Sequence, residues 1–114
     1  MMDNKLGKIS KASFGIGAYN DTMLGLHLEL SFNGGSSGTM TSHSILDFNR
    51  VEHTEHTKWT EEDRAQQAVE VLKHLSDTLK YAKVNTVEQL VGIPIRGHFD
   101  GNTLRSWSVL TEVL

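Results

Sequence analysis

The chain has 114 residues, 38% hydrophobic and 22% charged, with one proline and no cysteine. That length supports a single hydrophobic core, burying roughly two-thirds of the surface the unfolded chain exposes, and the composition is globular rather than disordered. Lack of cysteine excludes disulfides, thiolate nucleophiles and cysteine-based zinc sites, and a net charge of -3 disfavours nucleic-acid binding driven by counterion release over the whole surface.

The first eleven residues carry lysines with no apolar run behind them. No window approaches the roughly 18 apolar residues of a membrane-spanning helix, so the reading is a soluble, cytoplasmic protein with no membrane partner. From Lys11 to Tyr19, Ala12, Phe14, Ile16 and Ala18 alternate with polar residues and glycines, the period of a strand. Asn20-Asp21-Thr22 suits a tight turn, and Leu24, Leu26, Leu28, Leu30 and Phe32 then alternate with Met23, Gly25, His27, Glu29 and Ser31. The two runs predict an N-terminal β-hairpin over 11–32 with one leucine-rich face buried.

Asn33 to Gly38 is a flexible Gly/Ser loop by composition. Thr39 to Phe48 is β-prone and weakly patterned, a third strand running into irregular chain anchored by Ile45, Leu46 and Phe48. At Thr60 a helix starts: its hydroxyl is placed to accept from the backbone of Asp63, and Glu61, Glu62 and Asp63 complement the positive helix end. Ala65, Ala68, Leu72, Leu75, Leu79 and Ala82 recur at steps of three and four, predicting a helix over 60–83 whose apolar stripe buries against the leucine face of the sheet. Glu70 before Lys73 and Asp77 before Lys80 have the spacing of intrahelical ion pairs. A helical turn or two over Thr86 to Val91 ends at Gly92 and Pro94, and a C-terminal hairpin over 93–114 turns at Asp100-Gly101-Asn102. The expected fold is a single α+β domain over 1–114: an antiparallel sheet of two hairpins, four to five strands, packed against one long amphipathic helix.

No motif specifies catalysis. Gly15, Gly17 and Gly25 lack the dinucleotide-binding spacing, and Gly35-Ser36-Ser37-Gly38 lacks both a Walker lysine and a nucleophile elbow. His53 and His56, within Glu52-His53-Thr54-Glu55-His56, are the densest candidate metal ligands, but they precede the helix in polar chain and need His27, His43 or His98 beside them to complete a site. No cofactor is implied. Arg96, His98, Arg105 and Trp107 on the C-terminal hairpin combine cations with an aromatic ring, a pairing suited to phosphate and base or to a protein partner. Tyr19 and Asp21 mark the first hairpin turn as a further contact surface. An unpaired strand edge leaves a homodimer open.

The segment from Phe14 to Leu26, the closing segment from Phe99 to Trp107, Trp59, the Ala82-Lys83-Val84 helix exit and Leu90-Val91-Gly92-Ile93-Pro94 together resemble an uncharacterised family of small proteins encoded by tailed phages and prophages. Gly38 to His43 departs from that pattern. The resemblance implies a phage context rather than a mechanism; with no catalytic constellation in the sequence, the expectation by analogy is a non-enzymatic accessory binding protein of the phage. One expected role is a counter-defence factor, acting as an anti-CRISPR-like inhibitor of a host defence protein or by sequestering a small nucleotide signal. The alternative is an accessory nucleic-acid-binding protein of phage DNA metabolism.

Overall fold

The computed structural model describes residues 2–17, 21–32 and 38–113. It contains strands β1 (Met2–Gly17), β2 (Met23–Phe32) and β3 (Thr39–Leu46), helix α1 (Glu61–Ala82), a 3-10 turn at Glu88–Leu90, strands β4 (Pro94–Asp100) and β5 (Thr103–Val109), and a final 3-10 turn at Thr111–Val113. The five strands form one antiparallel sheet in the order β3-β2-β1-β4-β5, packed with the helix, so the fold is α+β. No described helix is long and apolar enough to cross a membrane.

Strand β1 holds the sheet together because it serves two partners. Its first half, from Met2 to Lys8, pairs with β4, and its second half, from Gly7 to Gly17, pairs with β2. The change of partner occurs at a bulge on Ser10, which has no opposite residue and whose hydroxyl donates to the Glu29 backbone carbonyl at 3.1 Å and carboxylate at 2.9 Å. A bulge shifts the side-chain alternation by one residue. Ile9 and Ala12 therefore both face the core, and the strand begins nine residues before the alternation visible in the sequence. Before the bulge the pattern is also masked by chemistry: Leu6 faces outward and is exposed, whereas Lys5 lies on the inner side with its ammonium 4.8 Å from the Phe99 ring centre.

The inner face of the sheet carries Ile9, Leu26, Leu28, Leu30 and Ile95, all at or below 1% exposure. Ala82 and Leu90 complete this core, with Leu75, Leu79 and Trp107 packed around it. At about 25 cal/mol per Å² of apolar area removed from water, each fully buried leucine or isoleucine contributes on the order of 2 kcal/mol. Gly97 leaves space for an aromatic pair beside it: Phe32 and Phe99 meet edge to face at 5.0 Å, and a Cβ on Gly97 would lie 2.5 Å from the Phe32 ring. On the outer face His27 is buried. Its Nε2 faces the carbonyls of Gly15 at 3.2 Å and Met23 at 3.3 Å, so Nε2 carries the proton, and Nδ1 pairs with the Ser42 hydroxyl at 2.8 Å across β2 and β3.

Helix α1 opens with a reciprocal capping box: Thr60 Oγ1 accepts from Asp63 N at 3.0 Å and Asp63 Oδ2 accepts from Thr60 N at 2.9 Å. It closes at Lys83, whose left-handed conformation (φ 58°) directs its N–H to the carbonyls of Leu79 and Lys80. The buried side differs from the stripe expected from the sequence. Arg64, Val71, Thr78 and Ala82 are buried, while Leu72 is 58% exposed and Ala65 faces solvent. Ala82 belongs to both sets, and Ala68 and Leu75 are half-buried, so the true face is turned slightly about the helix axis.

Arg64 opens that buried face. Its Nη1 donates to the backbone carbonyls of Leu46 at 3.2 Å and Asp47 at 2.9 Å, and Nη2 pairs with Glu61 at 2.8 Å. The guanidinium carbon lies 4.3 Å from the Trp59 ring centre and 5.0 Å from that of Phe48. The side chain thereby ties the start of the helix to the exit of β3.

Candidate functional site

The sheet curls so that its edge strands β3 and β5, far apart in strand order, both approach α1. Between them lies a cleft of about 710 Å³, within the usual range of small-molecule pockets of about 300–1,000 Å³. Edge β3 supplies Thr41 and His43, and the second half of α1 supplies His74, Asp77, Thr78 and Tyr81, which share a helix face at steps of three and four. The third wall is β5, with Arg105, Trp107 and Val109.

The register of β5 explains how these side chains reach the cleft. Gly97 on β4 stands opposite Trp107, so the indole stands over a residue with no side chain and on the face that looks toward α1. Between the Ser106 and Leu104 pairings the register slips by one, leaving Arg105 as the extra residue of a bulge. Arg105 and Trp107, two apart on the strand, both line this wall of the cleft. Arg105 is 58% exposed and holds Asp100 at only 3.5 Å, an ion pair weak enough for the guanidinium to leave. Leu110 donates to the Pro94 carbonyl at 3.0 Å, so by alternation Trp107 and Val109 turn their own backbone groups to the free edge of the sheet.

His43 and His74 stack face to face across the β3 wall, ring centres 3.5 Å apart and planes inclined by 17°. Burial pushes the His43 imidazole below its ordinary 6.5. Burial, and then the adjacent His43, do the same to His74 against the opposing pull of Asp77. Both rings are therefore neutral at pH 7, and His74 Nε2 is buried without a hydrogen-bond partner among the described residues. Thr78 Oγ1 donates to the His74 carbonyl at 2.8 Å and is committed to the helix.

Asp77 behaves differently from the sequence expectation. Neither it nor Glu70 forms the expected intrahelical ion pair within 4.0 Å; Lys80 instead sits 5.8 Å from the Tyr81 ring centre. On an exposed helix such pairs are worth only a few tenths of a kcal/mol, too little to hold long side chains in place. The cleft thus presents an aromatic wall, a cation on one side and an unpaired carboxylate on the other.

Of the contact residues proposed from the sequence, Arg105 and Trp107 line this cleft; His43, named there as a possible additional metal ligand, and Asp77, named for an ion pair, line it too. Arg96 stands opposite Ser108 and His98 opposite Ser106, which places both on the outer face of the sheet. There Arg96 pairs with Glu112 at 3.6 Å and His98 Nδ1 contacts Asn4 Oδ1 at 2.6 Å. Asp21 adopts a left-handed turn conformation (φ 61°) and is not among the residues lining the cleft. Tyr19 and residues 33–37 of the Gly-rich loop lie outside the described residues. His53 meets the Trp59 ring edge to face at 5.3 Å and His56 meets Glu55 at 3.5 Å on the surface. Among the described residues no three His, Asp or Glu side chains are grouped to hold a metal ion.

The sequence reading missed His43, His74, Asp77 and Tyr81 as cleft residues. The last three carried a signal, a common helix face, but nothing in the sequence says which edge strands that face meets. No protein-family model matches the chain, and no curated protein or solved structure proves significantly similar to it.

Proposed function

We propose that this chain is a non-enzymatic binding protein that holds a small nucleotide in the cleft between α1, β3 and β5. We further propose that it serves a tailed phage or prophage as a counter-defence factor by sequestering a nucleotide signal of the host. The observation that carries the binding reading is the convergence of Trp107, Tyr81 and Arg105 on one cleft of ligand-sized volume. A base stacked on an indole gains about 1–3 kcal/mol, and a guanidinium offers phosphate a charge-assisted, bidentate bond. The phage context rests on the sequence resemblance alone.

The second reading, an accessory nucleic-acid-binding protein, has less support, because Arg96 and His98 lie on the face opposite Trp107 and outside the cleft that Arg105 and Trp107 line. Titration calorimetry with nucleoside monophosphates, cyclic dinucleotides and short single-stranded oligonucleotides separates the two. The proposed function expects binding of free nucleotides, weakened roughly 5- to 150-fold by Trp107→Ala, weakened by Arg105→Ala and unaffected by Arg96→Ala. Binding of oligonucleotides alone, with a steep salt dependence and an equal effect of Arg96→Ala, would favour the second reading. Lack of binding by any free nucleotide refutes the first.

A further inference from the structure

We propose that the base held in the cleft is guanine, read by the carboxylate of Asp77; this rests on the reading of the cleft as a nucleotide site. Asp77 lines the same cleft as Trp107 and stands on the α1 face between His74 and Tyr81. Its carboxylate lies close enough to His74 to act on that ring electrostatically, but it forms no hydrogen bond or ion pair among the described residues, even with Lys80 one turn away. An ionised carboxylate only accepts hydrogen bonds, and it has two oxygens to satisfy. A ligand that fits it must present two adjacent donors.

Among the common bases only guanine does so on one edge, with N1–H beside the 2-amino group. Adenine offers its 6-amino group next to an acceptor nitrogen, and cytosine its 4-amino group next to another, so each sets a lone pair against the carboxylate. The other polar groups near Asp77 do not reverse this preference. Thr78 is bonded to the His74 carbonyl, and His74, stacked on His43, keeps its unpartnered Nε2, a single nitrogen that can meet one base atom but cannot match two adjacent donors. With the donor edge on Asp77 and the ring plane on Trp107, Arg105, on the same wall as Trp107, is the cation left for the phosphate. The three contacts use three chemically different groups, which fixes the ligand's orientation as well as its identity.

The test is titration calorimetry of the full chain with guanosine, adenosine, inosine and xanthosine 5'-monophosphates, using the wild type and Asp77→Asn. Wild-type protein should bind guanosine monophosphate at least about tenfold more tightly than the adenosine nucleotide, with inosine weaker than guanosine because it lacks the 2-amino donor. Asparagine replaces one acceptor by a donor, so Asp77→Asn should lose guanosine monophosphate and gain xanthosine monophosphate, which carries a 2-oxo group in place of the amine. A gain of binding cannot arise from misfolding. Equal wild-type affinity for guanosine and adenosine, or an unchanged preference in Asp77→Asn, overturns the guanine assignment while the nucleotide reading stands. Failure of all four nucleotides to bind overturns both.

Discussion

Replacing Arg64 by alanine should destabilise this protein by about 3–5 kcal/mol, the scale for removing one partner from a buried charged network. The side chain is 2% exposed. Its removal abolishes the bonds to the Leu46 and Asp47 carbonyls, each worth about 1.5–3 kcal/mol as charge-assisted hydrogen bonds. It also abolishes the contacts with the Trp59 and Phe48 rings, worth about 0.5–2 kcal/mol. These terms overlap, so the loss falls below their sum. The Glu61 pairing adds little, because that carboxylate is 60% exposed and rehydrates; Glu61→Ala should cost less than about 1 kcal/mol. Urea unfolding followed by far-ultraviolet circular dichroism measures both variants without relying on Trp59, whose own emission the substitution alters. With total stabilities of about 5–15 kcal/mol for domains of this kind, Arg64→Ala should shift the midpoint strongly or leave the chain partly unfolded. A loss under about 1 kcal/mol with an unchanged slope would show that the guanidinium does not anchor the helix.

The acid limb of stability should be set by the stacked histidines. Both are depressed below 6.5 in the folded state, so the unfolded chain binds more protons; their contribution is intact above about pH 6.5 and lost progressively as pH falls below it. Melting temperatures from pH 8 to 5 should fall in that window for wild type and fall less for His74→Phe, and equal slopes would refute the assignment. Asp47 adds a lower window. Burial raises its pKa, but bonds from the Arg50 side chain and the Arg50 and Asn49 amides outweigh that, so its contribution disappears only as pH drops below its ordinary 3.8. Gly15 and Gly25 face each other across β1 and β2 yet should respond oppositely to alanine. A Cβ on Gly25 would lie 2.3 Å from the His43 carbonyl, costing about 1–3 kcal/mol and displacing β3, whereas Gly15 has open space and should gain up to about 1 kcal/mol in chemical denaturation. Val71→Ala should cost about 1–2.5 kcal/mol and Leu72→Ala no more than about 0.5, and the reverse ranking would restore the helix face expected from the sequence.

The legible parts of the fold were those whose pattern is local. The leucine alternation of β2, the Thr60–Asp63 cap and the spacing along α1 each specify an element with no knowledge of its partners, and all three stand in the structure. The N-terminal half of β1 was illegible for an equally local reason. The Ser10 bulge breaks the two-residue period, and Lys5 and Leu6 occupy faces opposite to those their polarity suggests. Glu88–Leu90 is a 3-10 turn held by Gln89 Oε1, which accepts from the amides of Asn85 and Thr86, shorter than the turn expected over 86–91.

What the sequence alone determined, then, is a class of architecture: enough alternating apolar residues for an antiparallel sheet, enough helical ones for a long helix, and a chain length for one core. The tertiary structure decided which side of the helix goes inward: Arg64 is enclosed by two aromatic rings and two carbonyls from outside the helix while Leu72 stays exposed, a placement set by partners that no helical period announces. It also decided where the cleft lies. His43 and Trp107 sit on opposite edges of the sheet, and only its curl and the helix laid between those edges bring them into one site. Contacts between residues so distant along the chain follow from the closure of the whole sheet, which no local period encodes.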